Sequence, residues 1–421
     1  MRQVGKRLLV AVLFIFTTVF ACYAQQDDDQ VPISFLSNAS HKSVQMAPRG
    51  HRNGQGHANG IPNIDSLVNF NDHFQAQGVD QNGNAQIIWY YNMVGTAPQH
   101  HGTTTFNAPI VPVTLDLRNA DGSPRFVNGK PLISSPAQFV QPLLDSPIFQ
   151  NFSYSSSNDA TQYTDAVQRA EFFNRAKSDW HTMLNPSVKT GRTMVLLRGT
   201  YQFALNADGS CCAFVLVDSN AFGNALFPPT FPFDNSTPVG AAENAGDITT
   251  KDISTFFFPN TYLYVGNPSN CCILGFHTYD FEPGIPSNGK LERRYVLNYS
   301  SWISPGLFGG GFADITATSH ELAETFNDPF VASDGIHNVT PWWLSPNGNC
   351  QNNLEVGDVI EGLPEGVYPI TMNGMTYHPQ NEAMLQWFEF EAPSSAISGA
   401  YSYPNINTLT ALSPPEGVNC K

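Results

Sequence analysis

His320-Glu321-Leu322-Ala323-Glu324 places an imidazole and a carboxylate four residues apart, with a second carboxylate directly after the imidazole. On an α-helix, positions i and i+4 share one face, so His320 and Glu324 can grip a single metal ion. Glu321 projects about 100° around the same turn, within reach of water held by that ion. The pattern parallels H-E-x-x-H, in which two histidines bind zinc and the glutamate is the general base; here glutamate replaces the second histidine. Ile315, Leu322 and Phe326 give the stretch a buried side. The spacing therefore predicts a helix over 314–327, with Asp314 as N-cap and Pro329 just past its end. An amphipathic helix with a charged face and no metal is the plainer reading of the same residues.

A catalytic zinc centre commonly takes three protein ligands plus water, so one must come from outside the helix. Asp328 lies about 12 Å further along the axis and reaches the ion's surroundings only if the helix breaks early. Glu355, in Leu354-Glu355-Val356-Gly357-Asp358, is the leading third ligand. Asp358 is expected to support the site by fixing the tautomer of His320. His277, in Gly275-Phe276-His277, is the other outside candidate. As a ligand it completes a set of two His and one Glu; otherwise it steadies a transition-state oxyanion. The competing readings are acidic turn residues beside Gly357 and a satisfied histidine at a strand end. Zn2+ is the expected cofactor, and an oxygen-rich set with a single histidine leaves Ca2+ or Mn2+ as alternatives.

Around this stretch, β-branched and aromatic runs bounded by Gly, Pro and Asn predict strands at 87–91, 110–117, 193–197, 213–217, 255–265, 273–277 and 294–297. Tyr163, Val167, Ala170, Phe173, Trp180 and Leu184 recur at helical spacing, which predicts one long helix over 161–184. Residues 222–246, rich in Pro, Asn and Phe, read as a surface excursion. The expected fold class is α/β: a single large loop-rich domain over 61–421, its mixed sheet backed by helix 161–184 and a zincin-like active-site helix.

Arg2, Lys6 and Arg7, the apolar run 8–20 and small residues at 22–24 read as a secretory signal over 1–24, with a flexible leader over 25–60. The apolar run is too short to span a bilayer, and no later segment is long enough. Val19-Phe20-Ala21-Cys22 leaves a minor alternative of lipid anchoring through Cys22. Losing the signal removes three positive charges and takes the net charge from −15 to −18. Such a surface argues against nucleic acid or an anionic membrane as partner. Only 13% of residues are charged, while Gly and Pro number 33 and 31, the balance of a loop-rich extracellular domain with a large core. Of seven cysteines, six remain without Cys22, an even number that reads as disulfides in an exported chain. Cys211-Cys212 and Cys271-Cys272 can cross-link to each other or close vicinal bridges, which leaves Cys350 to pair with Cys420.

The H-E-x-x-E of residues 320–324, followed by Asn327-Asp328-Pro329, resembles a signature of the exordium-like, phosphate-induced extracellular proteins of plants. It is more similar still to bacterial secreted proteins with the same motif, then D-P, then an acidic E-x-x-D segment. Gly275-Phe276-His277 after Cys272 resembles their G-aromatic-H element, and 354–358 resembles the acidic segment. Where a cysteine often follows in that group, Val359-Ile360-Glu361 stands here. The resemblance covers about residues 270–360 and implies an exported protein with a zincin-like helix. The expected function is that of a secreted zinc-dependent metallopeptidase, hydrolysing amide bonds of a protein or peptide substrate through metal-activated water. The alternative is a non-catalytic, cell-wall-associated exordium-like protein that binds a cell-wall component.

Overall fold

Thr103–Arg118 is the strand on which the molecule is built. Its sixteen residues are buried at every second position or more from Phe106 on, so one strand can carry several neighbours. His181–Val188 pairs with its first half and Arg192–Leu197 with its second, both parallel. Ser254–Pro259 pairs with it in parallel at Ile110–Pro112, and Ile133–Ser134 antiparallel at Leu115 and Asp116. Glu292–Trp302 lies parallel to Ser254–Pro259 and antiparallel to Gly275–Glu282, and Ile64–Asp65 completes an eight-stranded mixed sheet. A second, four-stranded sheet joins Tyr201–Leu205, Cys211–Asp218, Thr261–Tyr264 and Cys271–Ile273.

This computed structural model describes residues 29–38, 64–79, 83–154, 159–229, 235–286, 289–309, 311–331, 340–351 and 353–412. The expected signal at 1–24, its Cys22, most of the expected leader and Cys420 lie outside these residues. Within 25–60, Ile33–Asn38 forms a 3-10 helix with Leu36 buried. Asp29 reaches the guanidinium groups of Arg125 and Arg198 at 2.8 Å each.

Six α-helices are described: α1 Ala137–Leu144, α2 Tyr163–Glu171, α3 Ser219–Leu226, α4 Pro238–Asn244, α5 Thr316–Asn327 and α6 Leu385–Phe388. The long helix expected over 161–184 is only α2. Asn174 and the Lys177-Ser178-Asp179 run turn the chain, and residues from His181 join the sheet instead. Trp180 and Leu184 are buried as expected, but as sheet-side residues, while Phe173 is exposed. Sheet pairing over eight positions overrides the helical spacing. The expected surface excursion 222–246 holds the end of α3 and all of α4, whose Phe222, Leu226, Val239 and Ala242 are fully buried. Asp218 caps α3 by accepting from the backbone of Asn220 and Ala221, and Thr237 caps α4 with Pro238 in its first turn.

The expected strand 255–265 is two strands in two sheets, broken at Asn260, which takes φ +39°. Asn tolerates that left-handed turn better than the aromatic residues around it. The chain changes sheets again at Leu274, between Cys271–Ile273 and Gly275–Glu282. Cys211–Cys212 and Cys271–Cys272 are vicinal disulfides, not cross-links between the two pairs.

Side chains alternate between the faces of Gly275–Glu282, and this decides where the site forms. Phe276 packs among Phe222, Phe227 and Tyr299 under α3. Tyr279 and Phe281, on the other face, share a core with Leu322 and Phe326 of α5. His277 belongs to that second face and so looks toward α5.

Candidate metal centre

All twelve residues of α5 are buried, the polar ones included. The helix has no side-chain cap: Asp314 precedes it at φ +44°, and its carboxylate accepts from Ile315 N at 2.7 Å and His378 N at 2.8 Å. The expected N-cap is therefore an anchor to the segment around His378, whose ring nitrogen sits 2.6 Å from Asp314 Oδ2.

α5 projects His320, Glu321 and Glu324 toward His277. Glu324 Oε2 lies 3.1 Å from His320 Nε2 and 3.4 Å from His277 Nδ1. Glu355 Oε2 and Glu321 Oε2 each stand 3.7 Å from His277 Nδ1. Potential ligand atoms of His277, Glu324 and Glu355 fall within 4.8 Å of one another, as do those of His320, Glu321 and Glu324. Glu324 belongs to both groups. Its other oxygen accepts from Gly357 N and Asp358 N, both at 3.1 Å, which clamps the acidic segment onto the helix. Asn353 donates to Glu355 Oε1 at 2.9 Å and fixes the remaining oxygen toward the cluster.

Two glycines allow this crowding. A Cβ on Gly357 would stand 2.5 Å from His320 Nδ1, and one on Gly275 would stand 2.5 Å from Glu321 Cγ and Oε1. The backbone of Gly357 thus lies against the Nδ1 edge of the His320 ring. Asp358 Oδ1 approaches the opposite nitrogen, Nε2, at 3.5 Å, and Gln351 donates to its Oδ2. The expected tautomer-fixing role does not fit this contact, because Asp358 stands on the ligand side of the imidazole. Asp328 terminates α5, is buried, and does not line the cleft; its charge contributes to raising Glu355.

The electrostatics are those of a cluster short of positive charge. Burial opposes the imidazolium forms of His277 and His320, yet the carboxylates around them outweigh it and raise both well above the usual range: chiefly Glu355 for His277 and Glu324 for His320. Burial raises Glu355 strongly, and Glu324 adds to it. Glu324 is the exception, because the two histidines overcome its burial and lower it. Four carboxylates, Glu321, Glu324, Glu355 and Asp358, face two imidazoles, and no Lys or Arg is among the described residues lining the cleft. His277 Nε2 and Glu321 Oε2 are buried without a hydrogen-bond partner among the described residues. A divalent cation fits this donor set, because it balances buried carboxylates that protons otherwise neutralise.

The surrounding cleft measures about 560 Å3 with its open side included, and Gly275 and Glu361 of its lining are partly exposed. Ile273, Leu274, Phe312, Ala317 and Val331 give it an apolar wall. Glu361 and Gln380 also line it and were not marked by any motif. Burial first, then Glu324 and Glu321, push Glu361 up to about 7 against the pull of His320. His100 and His101 are exposed, and His101 pairs with Asp179 at 2.8 Å, far from ligation.

The chain matches no protein-family model, no curated protein and no solved structure. Its described residues form a mixed α/β fold with a buried His/Glu cluster. Among the described residues no helix is long and apolar enough to cross a membrane.

Proposed function

We propose that this protein is a secreted zinc-dependent peptidase whose metal centre takes three ligands from among His277, His320, Glu324 and Glu355. One observation carries the reading: side chains from a strand, a helix and a distant loop form two groups of potential ligand atoms, each within 4.8 Å, that share Glu324. Two imidazoles beside carboxylates favour zinc over calcium, which prefers an all-oxygen shell. The vicinal disulfides support an oxidising compartment and hence export.

A zinc ion bound here supplies Lewis-acid polarisation of the scissile carbonyl and eases deprotonation of water. Glu321 is the general base. Its Oε2 is buried, unpartnered and beside the ligand cluster, so it can take a proton from the attacking water and return it to the leaving amine. The Gly275 backbone packs against the Glu321 carboxylate and holds it in that position.

Protein purified without chelators is expected to carry about one zinc per chain, and chelation is expected to abolish peptide hydrolysis and lower the melting temperature. E321Q is expected to keep the zinc and lose about 100- to 10,000-fold in kcat. A chain that takes up no zinc and melts at the same temperature with and without it would overturn the proposal.

A further inference from the structure

We propose that Glu361 is the substrate-recognition carboxylate of this cleft, and that it receives a cationic nitrogen of the substrate beside the scissile bond. The inference rests on the peptidase reading and names its substrate class. Glu361 lines the cleft and is part-exposed. Its amide donates to Gly357 O and its carbonyl accepts from Asn347 Nδ2, so its backbone is fixed to the loop that carries Glu355 and Asp358. Its carboxylate, in contrast, enters no hydrogen bond with the described residues. It sits close enough to the cluster to feel the charges of His320 and Glu324.

Ile273, Leu274, Phe312, Ala317 and Val331 line the same cleft. A cleft that offers both an apolar wall and a carboxylate without a hydrogen bond to the described residues suits a group with a methylene stem and a charged head, which buries the stem and pairs the head. The charge balance points the same way. Among the described residues five carboxylates line the cleft, Glu321, Glu324, Glu355, Asp358 and Glu361, and a divalent ion balances the charge of two. No Lys or Arg is among the described residues lining the cleft, so none of these receives a peptide's terminal carboxylate, and their carboxylates repel acidic substrate groups. An ammonium or guanidinium group fits, whether it belongs to a Lys or Arg side chain or to a peptide's free amino terminus.

The test uses full-chain, zinc-supplemented protein and peptides that differ at one position, carrying Lys, norleucine or Glu. Each is made with a free or an acetylated amino terminus, and all are amidated at the carboxyl end. The Lys or free-amine peptides are expected to exceed the norleucine peptide by about 10- to 100-fold in kcat/KM, with the Glu peptide lowest. Preference among acetylated peptides identifies the side chain as the cation; preference only for free-amine peptides identifies the terminus. E361Q is expected to erase most of the ratio and E361K to invert it toward Glu, with zinc content and melting temperature measured for each. Equal rates for acetylated Lys and norleucine peptides, with no gain from a free amine, would overturn the inference and leave the peptidase intact. That comparison needs no variant to fold. Hydrolysis of none of the peptides by zinc-loaded protein would instead overturn the peptidase reading, and this inference with it.

Discussion

Gly357 does at the residue scale what no larger residue can. Its Cα rests against the ring of His320 while its N–H donates to Glu324, so one residue touches two of the proposed ligands. G357A introduces a carbon 2.5 Å from His320 Nδ1, and the neighbour on that side is a ring in a packed core. The expected result is a loss of about 1–3 kcal/mol in stability together with at least tenfold weaker zinc binding, read by urea unfolding and by competition with a chromogenic chelator. G275A presses on Glu321, which is not among the four candidate ligands, so it is expected to lower kcat more than zinc affinity. If both variants lost the same property in the same proportion, the division between ligand support and base support would be wrong. These glycines were not legible as site residues from their own positions, because close approach is a tertiary fact. The ionisable residues were: the spacing of His320, Glu321 and Glu324 and the acidic loop around Glu355 named most of the cluster. Asp358 was expected to fix the tautomer of His320, but it approaches the same ring nitrogen as Glu324. Nothing in sequence spacing says which edge of a ring a loop will meet.

Elements were legible where one periodicity dominated and illegible where two competed. Strand 110–117 lies inside the observed Thr103–Arg118, and the helix expected at 314–327 is α5 within two residues of each end. The segment 161–184 failed because its apolar residues satisfy both a helix and a strand, and pairing partners far away in sequence decided between them. Segment 222–246 failed because Asn and Pro were read as loop formers when they sit beside capped helices. The two aspartates that precede α3 and α5 make a comparison at this scale. Asp218 is a side-chain cap at a partly exposed helix start, and D218A is expected to cost about 1 kcal/mol. Asp314 is fully buried and holds the backbone of both Ile315 and His378, so D314A is expected to cost about 3 kcal/mol or more. Paired denaturation curves measure the difference. Equal costs would mean that Asp314 does not anchor the site helix to the segment around His378.

At the scale of the whole molecule, the strand Gly275–Glu282 links two buried polar clusters on opposite faces of the main sheet. His277 faces α5, whereas Asp280 and Glu282 lie on the face of Phe276 and meet Glu243 of α4. Arg293 balances Glu282 at 3.1 Å, which leaves the carboxyls of Glu243 and Asp280 facing each other in the core. Burial pushes Asp280 up to about 7, and burial together with the charge of Asp280 pushes Glu243 up to about 11. Unfolded carboxyls release their protons near pH 4. Between pH 4 and pH 7, therefore, the folded chain holds protons that the unfolded chain has lost, and raising the pH favours unfolding. The stabilisation is complete below about pH 4 and is lost through pH 7 and above, the reverse of the behaviour of a salt-bridged aspartate. The expected loss between pH 5 and pH 9 is on the order of a few kcal/mol. The metal cluster titrates as well, so the comparison is made with zinc saturating and between the parent chain and E243Q. Glutamine fills the same space and can donate to Asp280 without releasing a proton. E243Q is expected to remove more than half of the decline in melting temperature between pH 6 and pH 9. Profiles that fall in parallel would show that the pair on the far side of the sheet carries no proton of consequence, and that any alkaline weakening arises elsewhere.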